Sequence, residues 1–377
     1  MTFPLCWVPM RWLPLLAMLW TAPALAAPPP HPLVEELLPR VVKVMGLPAP
    51  RKVKVQVLTR AQAEALLRRD LVKDRARLER LGEALLAIGL LPPGTKLESL
   101  APDFEAQNVS GFYDLREHTL FLLADQPDEA QRPIVAHELA HAVQDATVDL
   151  DAALAARRGS EDAVLAFTAV LEGQAQATAA LVMDGWLRDQ HVAVEGLAGL
   201  LSDTTARSAA EAADRAPVPW LGLQLRFPYV AGRALVAAQS TPEDPIARGL
   251  LRSPPASTAQ VMTPSRAAPP LSAALHLERL IPGASRSLAT TLGQAPLALL
   301  GAGLGEGWRG DRLESVRAGG QVVVVWVVAL ESKAQAAALA DVLGGEAHGP
   351  VVMVLRGVPP AREAAVRAAA QVLFQPR

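Results

Sequence analysis

Cysteine is almost absent from this chain of 377 residues, since Cys6 is the only one. A disulfide bond within the chain is therefore excluded, and the fold has to be stabilised by packing. An excess of one charge is also absent, because 36 basic residues face 38 acidic residues. No run of Lys and Arg with interleaved aromatic residues is present either, so the composition predicts no nucleic-acid partner.

Aromatic residues are scarce as well, at 4% of the chain, and only two of them are tyrosines. The chain is nevertheless rich in apolar residues, which make up 51%, while charged residues make up 20%. This balance is typical of a folded globular protein and not of a disordered one. The length exceeds what one minimal core requires and predicts a main unit with a smaller appended unit.

The first 26 residues have the pattern of a secretory signal peptide. Arg11 is their only charge, an apolar run covers residues 12–20, and Ala24-Leu25-Ala26 offers a small-x-small cleavage site. The apolar run is shorter than the roughly 20 residues of a membrane-spanning helix. We therefore expect export to the periplasm or the medium, cleavage near Ala26 or Ala27, and no membrane span once the signal is removed.

Hydrophobic periodicity predicts both helices and strands in the rest of the chain. Apolar residues alternate over residues 52–58, as in a strand, and recur at helical spacing from Arg60 to Ile88. A hairpin is predicted over residues 111–123, a helix beginning near Pro133, and a second helix over residues 160–188.

A different pattern follows the stretch of residues 252–270, which is rich in Pro, Ser and Thr. Two strands, a helix, a strand and a last helix are predicted between residues 313 and 373. The fold class predicted for the whole chain is thus α+β. Its predicted units are a signal peptide (1–26), a Pro/Ala-rich leader (27–50), a mostly helical unit with a short sheet (51–290) and a small α+β unit (291–377).

The segment His137-Glu138-Leu139-Ala140-His141 is an HExxH motif in a helical context. Residues four apart share one helix face, so both imidazoles can reach one metal ion, with Glu138 beside it. The alternative is two surface histidines on a polar helix. Apolar flanking residues such as Ile134 and Val143 indicate a buried helix, where uncompensated imidazoles and a carboxylate would be costly.

A catalytic zinc ion has three protein ligands and keeps its fourth position for water, so a third ligand is needed. Glu172 is the only charged residue between Asp162 and Asp184, and it would resist ionisation in that apolar helix unless a cation compensated it. Glu172 could instead lie on an exposed stripe with Gln176, or pair with an arginine. The reserve candidates for the third ligand are Glu161, Asp162, Asp145 and His191.

Six segments together resemble the gluzincins, HExxH zinc peptidases whose third ligand is a Glu on a later helix. They are GFYD (111–114), HELAHAVQD (137–145), LEGQA (171–175), FPYVAG (227–232), STAQVMTP (257–264) and GWRGD (307–311). More narrowly, the chain looks like a group of exported bacterial metallopeptidase-like proteins of unassigned substrate. The resemblance implies a zincin-like fold for residues 51–290. The metzincin subclass is excluded, because Gln144 and Thr147 occupy the positions of its Gly and third His.

These features predict an exported zinc-dependent metallopeptidase that hydrolyses peptide bonds in a peptide or protein substrate through a metal-activated water. His137, His141 and Glu172 would hold Zn²⁺, and Glu138 would be the general base. Tyr229 or Tyr113 could stabilise the oxyanion, or could simply be a packed aromatic. Two further hypotheses stay open, a metal-stabilised scaffold protein and a zinc hydrolase of a non-peptide amide. The oligomeric state is not indicated by the sequence.

Overall fold

The structure, a computed structural model, describes residues 31–71, 74–126, 128–192, 194–267 and 274–373. Its helices and two small sheets form an α+β fold, which confirms the predicted fold class. The predicted signal peptide, residues 1–26, lies outside the described residues. Within the part of the chain that is described, no helix is both long enough and apolar enough to cross a membrane.

A small mixed sheet with its helices forms the first part of the fold. Its strands have the order β1-β3-β2, with β1 parallel and β2 antiparallel to β3. The strands are β1 (Lys54–Leu58), β2 (Gly111–Asp114) and β3 (Thr119–Leu123), and the helices are α1 (Pro32–Met45), α2 (Arg60–Leu71), α3 (Arg75–Ala87) and α4 (Leu97–Asn108). The predicted hairpin is therefore confirmed as β2 and β3.

The middle of the chain is helical. Its helices are α5 (Asp128–Val148), α6 (Leu150–Ala155), α7 (Glu161–Asp189), α8 (Leu197–Asp214), α9 (Pro219–Gln239), α10 (Gly249–Arg252) and α11 (Thr258–Met262). The predicted helix over residues 160–188 is confirmed as α7. Helix α5 begins at Asp128, so the prediction of a start near Pro133 is wrong, and this proline lies inside the helix.

The last part of the chain forms an antiparallel sheet with the strand order β4-β5-β6-β8-β7. Its elements are α12 (Leu277–Leu280), β4 (Ser285–Thr290), a 3-10 helix (Ala295–Leu299), β5 (Trp308–Ala318), β6 (Gln321–Leu330), α13 (Lys333–Leu343), β7 (Glu346–His348), β8 (Val351–Arg356) and α14 (Pro360–Val372). The predicted strands and helices between residues 313 and 373 are all present, and β4 and β7 add two edge strands.

The helices of two stretches differ from those that the sequence predicts. The helix predicted from Arg60 to Ile88 is two helices, α2 and α3, because its halves are buried in different cores. Leu67 of α2 packs with Phe112 and Phe121 of the small sheet, whereas α3 packs in the main core. Within the predicted leader, residues 32–45 form α1, whose apolar face is buried against α5 and α7.

The main apolar core joins the helical middle of the chain to the antiparallel sheet. Leu85 of α3, Leu97 of α4, Leu225 of α9 and Trp326 of β6 are buried in the same cluster. This core therefore runs across residue 290, where the sequence predicts the end of one unit and the start of the next.

Two buried carboxylates anchor loops to that core. Asp162, at the start of α7, accepts hydrogen bonds from the backbone N–H of Thr258 (2.8 Å) and from its hydroxyl (2.5 Å). Asp311 accepts from the backbone N–H groups of Leu292 and Gly293 and from the indole of Trp326. The segments STAQVMTP and GWRGD are thus held in place by hydrogen bonds that stabilise the fold.

Candidate metal centre

Helices α5 and α7 pack against each other and bring three of the predicted ligands together. The Nε2 atom of His137 lies 3.1 Å from a Glu172 carboxylate oxygen and 3.2 Å from the Nε2 atom of His141. The Nε2 atom of His141 lies 3.7 Å from the other Glu172 oxygen. His137, His141 and Glu172 are 5%, 3% and 2% exposed, and together they could hold a metal ion.

The environment keeps both imidazoles in the form that binds a metal. Burial lowers the pKa of His137, and it lowers that of His141 to about 4 against the opposing charge of Glu172. Both rings are therefore neutral at pH 7, with a lone pair available. Burial also raises the pKa of Glu172 to about 7, although His141 and the Tyr229 hydroxyl oppose it. A bound cation would compensate this buried carboxylate.

A chain of buried amides orients His141. The Nε2 atom of Gln174 donates to the backbone carbonyls of Ile246 and Ala247, at 3.1 and 3.0 Å. Its Oε1 atom accepts from the Nε2 atom of Gln144 at 3.1 Å, and Gln144 also donates to the carbonyl of Leu171. The Oε1 atom of Gln144 lies 2.9 Å from the Nδ1 atom of His141.

The direction of this chain is fixed, because backbone carbonyls can only accept. Gln174 must present its oxygen to Gln144, and Gln144 must present its oxygen to His141. The Nδ1 atom of His141 therefore carries the proton, and its Nε2 atom keeps the lone pair that faces His137 and Glu172. Partners of this kind set the tautomer and the ring orientation of metal-binding histidines.

If the site binds a metal, replacing Gln144 by methionine is expected to weaken that binding about 10- to 100-fold, since His141 would lose the acceptor that orients it. Zinc affinity can be measured by competition with a chromophoric chelator. The matched control is Gln239→Met on an exposed position of α9, where no change is expected. Equal zinc affinity in the two variants would show that the amide chain does not orient the ligand.

Two glycines bring α9 close to the ligands. A Cβ atom added to Gly173 of α7 would lie 2.3 Å from the carbonyl oxygen of Gly232, and one added to Gly232 would lie 2.0 Å from that of Ala169. Only glycine permits this approach of two backbones. This close approach of α9 to α7 places the ring of Tyr229 parallel to that of His137, with 6.2 Å between the ring centroids and 9° between the ring planes.

The two tyrosines predicted as oxyanion stabilisers lie in different places. Tyr229 is fully buried, its ring stacks on that of His137, and its hydroxyl lowers the pKa of Glu172, so it lies at the metal centre. The Tyr113 hydroxyl donates to Asp145 at 3.1 Å, and His118 lies within 3.1 Å of both groups. Burial, then the charge of Asp145, raises the pKa of Tyr113. The oxyanion role stays a prediction for both, but only Tyr229 adjoins the ligands.

Burial and hydrogen-bond partners decide between the interpretations that the sequence leaves open for the ligand residues. His137, His141, Glu172 and Gln176 are all buried, so neither the surface-histidine interpretation nor the exposed stripe is correct. Among the described residues, the side chains that contact the Glu172 carboxylate at 3.1 and 3.7 Å are the two histidines, and no arginine pairs with it. The reserve candidates lie elsewhere: Glu161 pairs with Arg77, Asp162 binds Thr258, Asp145 binds Tyr113, and His191 is exposed.

A cavity of about 400 Å³ opens beside the metal centre, between α5, α7, α8 and α9. His137 and Tyr229 form its inner end. At its other end the guanidinium of Arg132 lies over the Trp186 ring, 4.7 Å from the ring centroid. One face of α7 forms its wall, through Gln176, Ala179, Ala180, Met183, Trp186 and Leu187. We call this cavity the α7 groove.

The sequence did not predict Gln144, Gln174 or the α7 groove. The only local sign was that glutamines occupy three positions, 144, 174 and 176, in otherwise apolar helical stretches. Buried amides need partners, so such glutamines indicate a polar network. Comparisons of the chain with protein-family models, with curated proteins and with solved structures found no match.

Proposed function

We propose that this protein is a zinc-dependent metallopeptidase that hydrolyses peptide bonds. The observation that carries the proposal is the spacing of the three donors of the metal centre. Zinc–ligand distances of roughly 2.0–2.2 Å place the corners of a tetrahedron about 3.4 Å apart. The separations of 3.1, 3.2 and 3.7 Å between the donors fit three such corners. Two imidazoles and one carboxylate are also a donor set typical of catalytic zinc.

Glu138 gives the centre its proposed chemistry. It follows His137 on α5, is fully buried, and its charge acts on the His137 ring. A bound zinc ion lowers the pKa of water to about 7 and polarises a carbonyl group. Glu138 takes the proton of the attacking water and delivers it to the leaving nitrogen. Tyr229, whose ring stacks on that of His137, is the donor best placed for the oxyanion.

The scaffold hypothesis explains the ligands but not Glu138, because a structural metal site has no use for a carboxylate that is not a ligand. The hypothesis of a non-peptide amide keeps the same residues and chemistry. The apolar lining of the α7 groove beside His137 favours a substrate that carries an apolar chain next to the amide. The signal peptide predicted for residues 1–26 adds export to the proposal.

Metal removal tests the proposal directly. We expect about one zinc per chain, loss of peptide-library cleavage after chelation, and recovery when zinc returns, because the proposed mechanism requires the ion. His141→Ala should lose zinc and cleavage together, and His191→Ala, at an exposed position, should lose neither. A folded protein without zinc affinity would refute the proposal, and zinc without cleavage would support the scaffold.

A further inference from the structure

The α7 groove is long and narrow. Its wall follows α7 from Gln176 to Leu187, which is about 16 Å at 1.5 Å per residue. It ends at His137 and Tyr229 on one side and near the Arg132–Trp186 pair on the other. With a volume of about 400 Å³ over that length, the groove suits a single extended chain without large branches.

The walls of the groove offer an extended peptide few hydrogen-bond partners along its length. A peptide covering about 16 Å would have roughly five residues, and each would bring an N–H and a C=O that need partners. Between its two ends the groove offers the side chain of Thr205, whose hydroxyl already donates to the carbonyl of Leu201 at 3.1 Å. Unpaired amides in such a groove would be costly. A hydrocarbon chain has no such requirement.

One acceptor at the inner end has no partner. Gln176 is 2% exposed and lines the groove, and its Nε2 atom donates to the carbonyl of Tyr229 at 3.1 Å. Its Oε1 atom is buried without a hydrogen bond. An unpaired buried acceptor is costly, so a hydrogen-bond donor on a ligand at this end of the groove would stabilise it. One free acceptor matches one amide N–H at the metal end of the groove.

We propose that the α7 groove binds the hydrocarbon chain of a fatty-acyl amide, with the amide N–H donating to Gln176 and the carbonyl at His137. A zigzag chain of about 13–14 carbons spans 16 Å, at roughly 1.27 Å of advance per C–C bond of about 1.52 Å. The reaction rests on the proposed function: water adds across the C–N bond, its oxygen bonds to the carbonyl carbon, and a proton goes to the leaving nitrogen. The products are a fatty acid and an amine.

Binding tests the groove independently of catalysis. N-acylglycines with 4 to 16 carbons in the acyl chain would be titrated calorimetrically into Glu138→Gln protein, with and without zinc. We expect affinity to rise about fourfold per methylene, at about 0.8 kcal/mol each, and to level off at about 13–14 carbons. An affinity that does not depend on chain length would overturn the proposal.

Adjacent threonines of α8 give a matched pair of variants. Thr205 lines the groove and Thr204 does not, and each donates to the carbonyl four residues earlier. Thr205→Trp should reduce N-dodecanoylglycine binding at least 30-fold, and Thr204→Trp should leave it unchanged. If Thr205→Trp does not fold, Ala180→Leu fills the groove from α7. Equal binding in a folded groove variant and in its control contradicts the proposal.

Gln176→Met tests the amide contact. Loss of one hydrogen bond should weaken N-dodecanoylglycine about three- to tenfold, while the matching ester, which lacks the N–H, should bind equally to both proteins. Equal loss for amide and ester would refute the contact with Gln176. Acyl binding without cleavage of any amide would leave the groove proposal standing and refute the hydrolase, and peptide cleavage without acyl binding would do the reverse.

Discussion

Glu138→Gln is expected to lower kcat/KM for peptide cleavage by about 10²–10⁴-fold while about one zinc per chain stays bound. The loss follows from removing the only group in the proposed mechanism that moves the proton between water and the leaving nitrogen. Zinc should be retained because the proposed ligands are His137, His141 and Glu172, and not Glu138. Steady-state kinetics with a peptide found by library screening, together with metal analysis of the same samples, measures both effects.

The control for this variant is Glu211→Gln, at an exposed position of α8, which makes the same chemical change away from the centre. Its rate should equal that of the native protein. Cleavage by Glu138→Gln at the native rate would remove Glu138 from the mechanism. Loss of zinc in Glu138→Gln would indicate that Glu138 supports the metal ligands instead of acting as the base.

Gly173→Ala is expected to destabilise the protein by about 3 kcal/mol, near the upper end of overpacking effects. The added Cβ would lie 2.3 Å from the oxygen and 2.5 Å from the carbon of the Gly232 carbonyl, and backbone atoms cannot move aside as a flexible side chain can. Helices α7 and α9 would separate, and Tyr229 would move from Glu172. Denaturant unfolding measures the stability change, and chelator competition measures the accompanying loss of zinc affinity.

Gly185→Ala is the matched control, because Gly185 lies on the same helix with open space around its Cβ position. There the substitution should stabilise the protein by about 0.5–1 kcal/mol, since alanine loses less conformational freedom in a helix. The two variants are thus expected to change the free energy of unfolding in opposite directions. The same sign for both would mean that the close helix crossing does not constrain Gly173.

The grouping of the three candidate ligands was predictable because its signals are local. Four-residue spacing put His137 and His141 on one face, and an isolated charge in an apolar helix singled out Glu172. The amide chain was not predictable, since Gln174 reaches carbonyls 72 and 73 positions away in the sequence. The spacing of apolar residues along the sequence does not indicate contacts between such distant positions. Tyr113 and Tyr229 were equivalent in the sequence, and only the packing of α9 on α7 distinguishes them.

The fold class was predictable from apolar spacing, and the errors have physical causes. Strand β7 is short and fully exposed, so it has no apolar alternation to detect. Proline and alanine obscured α1, although Val34, Leu37, Val41 and Met45 are buried at helical spacing. The break between α2 and α3 reflects burial in two different cores, which a continuous helical period cannot show.

The main core also sets an order of events during synthesis. Helix α3 is made early but packs against β6, and Glu83 pairs with Arg317, 234 positions later in the chain. Contacts between residues this far apart in the sequence form slowly during folding. Until β6 has been synthesised, the apolar face of α3 cannot pack against that strand. The three candidate metal ligands, in contrast, lie within 35 positions of one another. A metal ion can therefore join α5 to α7 while the rest of the core is still incomplete.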